Sequence, residues 1–290
     1  MTPVPGVGAQ GPREVSGWSP FIQGGAVQQF ESDLDDGGSF SVSRAFVEGG
    51  IAYLFDRRNS IGLALAYGYD GYDFSGDDGL PGLSPWGSVS EYRISLPTRF
   101  TLGQRTSVFF TPSARWTAES EADLGKGGNA GFVGGALFRL TDTLRIGPGL
   151  GFFSEIEDDA SVFPILLIDW QITDAWRLST DQGLGATRGP GLTLAYKPAP
   201  TWEVSIGGRY ERFRFRLDDD GVAANGVGDE QAFISFASVA YTLGPVIRAA
   251  VVGGVDFGGE LTLEDSEGRE IASDGFDPAP FLGFSFRARF

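Results

Sequence analysis

Along most of this chain, apolar residues fall on every second position. Ile61, Leu63, Leu65, Tyr67 and Tyr69 make one such run, and Leu144, Ile146, Pro148, Leu150 and Phe152 make another. A third is Val162, Pro164, Leu166, Ile168, Trp170 and Ile172, and the chain ends on Leu282, Phe284, Phe286, Ala288 and Phe290. The residues between them are mostly Gly, Ala, Ser or charged. Period two is the spacing of a strand with one apolar and one polar face. No stretch sustains a helical period. The pattern predicts strands over 18–31, 40–55, 60–74, 88–102, 106–119, 129–141, 143–155, 161–172, 176–186, 190–197, 201–217, 231–243, 245–263 and 277–290.

The connections alternate in length. Long, acidic or Gly-rich segments such as E-S-D-L-D-D-G-G-S, S-G-D-D-G-L-P-G-L-S-P-W-G and D-D-D-G-V-A-A-N-G-V-G-D-E take the odd places. Tight turns such as F-D-R-R-N-S, L-G-Q-R-T and L-T-D-T-L take the even ones. The one weak case is the short break at Thr187–Gly189. An up-and-down antiparallel barrel with long loops on one rim and short turns on the other produces this alternation. The expected fold is therefore all-β, a transmembrane β-barrel of about 14 strands over residues 17–290. Boundaries near 183–192 and 245–263 leave 12 or 16 strands as alternatives. Residues 1–16, rich in Gly and Pro, read as a flexible N-terminal tail. Its G-V-G-A-Q-G has neither the preceding strand nor the following helix of a dinucleotide fingerprint.

Alternation, loop asymmetry and an aromatic residue closing the last strand together resemble the Gram-negative outer-membrane β-barrels. In strand number and length the chain looks like the compact porins, and L-I-D-W-Q-I-T-D-A-W-R-L-S-T-D (167–181) is similar to the strand-turn-strand core of an uncharacterised outer-membrane barrel family. The resemblance implies an outer-membrane location with both termini periplasmic. It also implies contact with outer-membrane lipid and lipopolysaccharide, and assembly machinery that reads Phe290 as its signal. Trp170, Trp176, Trp202 and Tyr241 beside the short turns, and Tyr69, Tyr72, Trp116 and Tyr210 towards the long loops, are expected to form two interfacial girdles. A mean hydropathy of −0.06 agrees, because only alternate residues of such a wall face lipid.

With the apolar parity facing lipid, the other parity faces the lumen. It carries Arg44, Glu48, Glu91, Arg93, Arg99, Arg115, Arg139, Arg145, Asp169, Arg177, Asp181, Arg209, Arg248, Arg287 and Arg289. An inside that is small, polar or charged points to a passive channel for small hydrophilic solutes. Charges of both signs leave a second reading, a closed structural or partner-binding barrel with an unidentified protein partner. Arg212, Arg214 and Arg216 project outward to lipopolysaccharide if parity holds past Tyr210, and inward if a bulge intervenes.

Composition narrows the chemistry. A net charge of −16 argues against nucleic-acid binding. With no Cys and no His, thiolate sites and Ser-His-Asp or Cys-His catalysis are excluded, and no cofactor or enzymatic activity is expected. The acidic clusters Asp33-Asp35-Asp36, Glu155-Glu157-Asp158-Asp159 and Asp218-Asp219-Asp220 offer hard oxygens to Ca²⁺, but lack EF-hand spacing, and no metal site is assigned. No basic start with an apolar core opens the chain, so an exported protein is expected here as its mature form.

Overall fold

A computed structural model describes residues 16–181, 191–244 and 246–290. The strands are β1 (Gly17–Asp33), β2 (Ser39–Leu54), β3 (Ser60–Ser75), β4 (Ser88–Ser95), β5 (Thr98–Leu102), β6 (Thr106–Glu119), β7 (Gly128–Arg139) and β8 (Leu144–Glu155). They continue with β9 (Asp158–Gln171), β10 (Trp176–Asp181), β11 (Gly191–Ala199), β12 (Trp202–Arg216), β13 (Val227–Leu243), β14 (Ile247–Glu264), β15 (Glu270–Phe276) and β16 (Ala279–Arg289). Two pairs are broken halves of single wall strands. β4 and β5 both lie between β3 and β6, and Pro97, which has no N–H to give, sits at the break. β15 and β16 both pair with β14, interrupted at Asp277–Pro278. The result is a wall of 14 antiparallel strands, closed where β1 pairs β16 from Phe21 opposite Arg289 to Gln29 opposite Phe281.

Expected and observed strands agree over most of their length. The exceptions lie at the long-loop end. β13 begins at Val227, not 231, β9 at Asp158, not 161, and β15 occupies residues expected to be loop. The expected tail over 1–16 lies outside the described residues except for Ser16, and the Thr187–Gly189 break lies wholly outside them.

The outer face is apolar. Leu65, Leu166, Ile206, Val251 and Phe284 each present 56–60% of their surface outward, as a lipid-facing wall requires. Near the short turns, Trp18 meets Tyr53, Trp176 meets Tyr196 and Trp202 meets Tyr241, with ring centroids 4.7–5.1 Å apart. Towards the long loops, Tyr67 with Tyr92 and Tyr210 with Phe233 form the second belt. Tyr72 departs from expectation. It has the parity of Asp70 and faces inward, only 9% exposed.

The abundance of Gly and Phe has a common cause on the inner face. Phe163 lies opposite Gly151, Phe215 opposite Gly228, Phe236 opposite Gly207 and Phe281 opposite Gly254. A Cβ on Gly151 would stand 2.1 Å from the Phe163 ring, and one on Gly228 would stand 2.3 Å from that of Phe215. Each glycine lets the neighbouring ring lie flat against the wall. In the tight turn after β2, Asp56 accepts from the N–H groups of Arg58 (2.6 Å) and Asn59 (2.9 Å). The Arg58 N–H bond, above all, holds its carboxyl below the usual carboxylate range.

The two ends of the barrel differ. At the long-loop end, β6 and β12 meet directly at Ala118 and Arg216, above the tops of β7 to β11. The wall there narrows to a ring running from β12 through β13, β14, β15, β1, β2, β3 and β4 to β6. A ring of nine strands is close to the size that its own side chains fill, whereas the full wall below is wide enough for a lumen.

Candidate functional site: the interior of the barrel

Three layers follow one another from the long loops to the short turns. The outermost is a dry apolar core. Phe40 and Val42 of β2, Tyr72 of β3, Val89 of β4, Phe213 and Phe215 of β12, and Leu261 and Leu263 of β14 converge inside the narrow ring. Leu80 and Trp86, from the segment between β3 and β4, close it from above. Phe40, Val42, Phe215, Leu261 and Leu263 are at most 1% exposed. The expectation of a uniformly small and polar interior is therefore wrong at this end. Its physical reason is the narrowing: where walls approach, inward apolar side chains meet one another instead of water.

Directly beneath lies a polar bolt across the interior. Arg44 of β2 donates to Glu230 of β13 (2.5 Å), to Asp70 of β3 (3.3 Å) and to Gln29 of β1 (3.3 Å). The Tyr72 hydroxyl donates to the second Glu230 oxygen at 2.5 Å. Beside it Arg93 pairs with Glu48 (3.0 Å), and Glu91 lies 3.9 Å from both Arg93 and Arg115. Arg209 pairs with Glu211 and stands over the Phe236 ring. Replacing Glu230 with Gln keeps its volume but removes the charge that joins β13 to Arg44 and Tyr72. The expected cost is about 1–3 kcal/mol, measured by urea titration of the detergent-folded barrel.

The third layer is wide and mixed. Ile234, Phe236, Val252 and Phe281 form one apolar patch. On the β7–β9 stretch of wall, Val133, Phe153, Phe163, Ile165 and Leu167 share the inward parity. At the short-turn mouth the lining becomes basic. Arg139 stands opposite Arg145, and Arg248 opposite Arg287. Asp169 lies between Arg145 (3.6 Å) and Arg177 (2.9 Å), and Glu203 between Lys197 and Arg248. Arg99 on β5 and Arg289 on β16 lie at the same rim and are exposed. Asp181 closes β10, and its side chain lies outside the described residues.

Sequence parity thus places the candidate residues in two groups. Arg44, Glu48, Glu91, Arg93, Arg115 and Arg209 belong to the bolt layer, and Arg99, Arg139, Arg145, Asp169, Arg177, Arg248, Arg287 and Arg289 to the mouth. The bolt's Gln29, Asp70 and Glu230 were not singled out, and Tyr72 was expected in the outer girdle. For Asp70 the signal was present, since it shares the parity of Arg44's face.

Arg212, Arg214 and Arg216 meet neither of their expected fates. Parity holds, so Phe213 and Phe215 enter the core and the arginines face the other way. There the tip of the β8–β9 hairpin covers them. Arg214 bonds Asp229 (2.7 Å), Glu264 (2.6 Å) and the Ile156 carbonyl (3.0 Å), while Arg216 bonds Glu157 (2.6 Å). Among the described residues, no three acidic side chains gather to hold a metal ion.

A closed wall of 14 strands, apolar outside and charged within, with one long-loop and one short-turn rim, has many solved counterparts. The fold is that of a Gram-negative outer-membrane β-barrel. The COG4313 outer membrane channel from Pseudomonas putida F1 is similar to it with a TM-score of 0.53 and 10% identity, over 97% of this chain and 99% of that one. The P. putida toluene transporter TodX gives a TM-score of 0.49 and 11% identity, over 97% and 91% of the two chains. A Pseudomonas aeruginosa FadL homologue gives 0.49 and 12%, over 94% and 90%. No family model matches the chain, and no curated protein matches it.

Proposed function

We propose that the barrel is an outer-membrane channel, gated at its outer end, that passes small amphipathic anions. Its long loops face outward and its termini lie in the periplasm. The observation that carries this reading is the contrast along the axis. A dry core and a charged bolt seal the narrow ring, while the wide end opens through paired arginines onto apolar patches. Such a lining suits a solute with an apolar body and an anionic head: the arginines draw the head and the patches receive the body. The COG4313 barrel, described as an outer membrane channel, supports the architecture.

The test is flux into liposomes together with single-channel recording in planar bilayers. The wild-type barrel should conduct ions poorly and in brief openings, and Glu230→Gln should open it more often. Short aliphatic carboxylates should enter liposomes faster than uncharged sugars of equal size. Replacing Arg139 and Arg248 with Glu should shift the reversal potential in a KCl gradient towards cation preference, with the folded yield unchanged. Equal entry of sugars and carboxylates would return the function to a general pore for small hydrophilic solutes. Silence from every folded variant would favour the closed, structural or partner-binding barrel. Contact with lipopolysaccharide and delivery of the Phe290 strand to the assembly machinery belong to the same proposal. Phe290 is 71% exposed at the end of the closing strand.

A further inference from the structure

Below the apolar core, one acid has no counterpart. Asp256 of β14 stands opposite Ala279 of β16 and Ile234 of β13, both buried in the interior. It shares their side of the wall and is itself 7% exposed. Phe257, the next residue, stacks on Phe233 in the outer aromatic belt, which sets Asp256 at the height of the outer membrane interface. Its Oδ1 is buried without a hydrogen-bond donor among the described residues. Two arginines stand near enough to attract its charge, Arg44 of β2 and Arg209 of β12. Two carboxylates stand near enough to repel it, Glu230 of β13 and Glu211 of β12. Both arginines are already paired, Arg44 with Glu230 and with Asp70 of β3, and Arg209 with Glu211. β1 and β16 add no charge there, presenting Gln29 opposite Phe281.

The bolt layer described above holds four arginines and five carboxyls, and Asp256 makes a sixth carboxyl. A carboxylate out of water, with no donor and no cation of its own, is the most costly form of that group, and like charges beside it add to the cost. The cation that needs the least room is a proton. Bound to Asp256, it removes the surplus charge and turns one oxygen into a donor among acceptors.

We propose that Asp256 is a proton-binding site: the folded barrel holds it as the neutral acid, and loss of that proton loosens the Arg44–Glu230 bolt. The sign follows from linkage. In the unfolded chain an Asp gives up its proton at about pH 3.9. Below that pH both states hold the proton, and its contribution to stability is whole. As the pH rises the folded state alone keeps it, and the contribution falls until the folded site ionises too. A bolt held in this way is tightest in acid. The proposal stands whether or not the barrel conducts.

The experiment is urea titration of the full detergent-folded barrel, wild type and Asp256→Asn, at pH values from about 4 to about 8. Asn is neutral throughout and keeps a donor, so it stands in for the protonated acid. Whatever offset the variant has at about pH 4, the wild-type midpoint should fall relative to it as the pH rises. Infrared spectra read the proton directly and need no variant. Wild type labelled with ¹³C at the aspartate side-chain carboxyl should show, at about pH 6, an isotope-shifted C=O band of a protonated acid that the unfolded protein lacks. A folded wild type without that band would overturn the proposal. So would midpoints of the two proteins that move in parallel, or a wild type that gains on Asp256→Asn as the pH rises, because the ionised carboxyl would then be the useful form.

Discussion

Arg214→Ala should cost the folded barrel about 3–5 kcal/mol, the scale seen when one partner of a buried ion pair is removed. The side chain is 2% exposed and holds two carboxylates, Asp229 at 7% and Glu264 at 13%. Truncation leaves Glu264 buried without its cation and Asp229 with Arg212 alone. It also releases the Ile156 carbonyl, and with it the tip of the β8–β9 hairpin. Urea titration of the detergent-folded protein, read by the gel mobility of the unheated barrel, measures the loss. Arg269 provides the contrast, because its ion pairs sit on a side chain 71% exposed. Arg269→Ala should change stability by under about 1 kcal/mol. Comparable losses for both variants would mean that the buried cluster is not a tie between the hairpin and the ring.

Phe215→Ala should be similarly costly, about 3–5 kcal/mol, because it removes a fully buried ring from a packed core. The ring lies flat on Gly228 and contacts Trp86 edge-on, with centroids 5.2 Å apart. Tyr72 and Phe213 complete its surroundings. Neighbours fixed on three different strands cannot close over the space left behind. The same substitution should raise the ionic conductance of the folded barrel in planar bilayers, because it hollows the driest layer of the interior. A large stability loss with unchanged conductance would assign the seal to the Arg44–Glu230 bolt beneath.

The wall was legible in the sequence because its signal is local. Ile61 to Tyr69 and Leu282 to Phe290 carry their period within ten residues, and the long and short connections punctuate them. The seal was less legible because it depends on where strands go after they leave the membrane. Phe40, Val42, Val89, Phe213 and Phe215 all lie on the inward parity at the long-loop ends of their strands, which is a readable sign of a core there. What made that core dry is the meeting of β6 and β12 at Ala118 and Arg216, a contact that no periodicity encodes. The stretch from Val227 to Glu230 failed as a strand prediction for a related reason. Gly228, Asp229 and Glu230 are poor strand formers; Gly228 leaves room for the Phe215 ring, and the side chains of Asp229 and Glu230 pair with Arg214 and Arg44. The basic mouth was legible residue by residue. That Arg139 faces Arg145, and Arg248 faces Arg287, needed the strand register.

The pairing of β1 with β16 has a kinetic consequence. The two strands that complete the ring are β1 and β16, so the circle cannot be joined until every strand between them has been made and threaded. Until that moment the growing sheet has two raw borders, each with a row of main-chain donors and acceptors that hydrocarbon cannot satisfy. Insertion followed by joining would leave those borders in lipid at a cost of several kcal/mol per unmatched group. The low-energy route joins the borders while something else occupies them. Biogenesis of this protein should therefore be all-or-none, with a single slow step at the seam and no stable half-built wall.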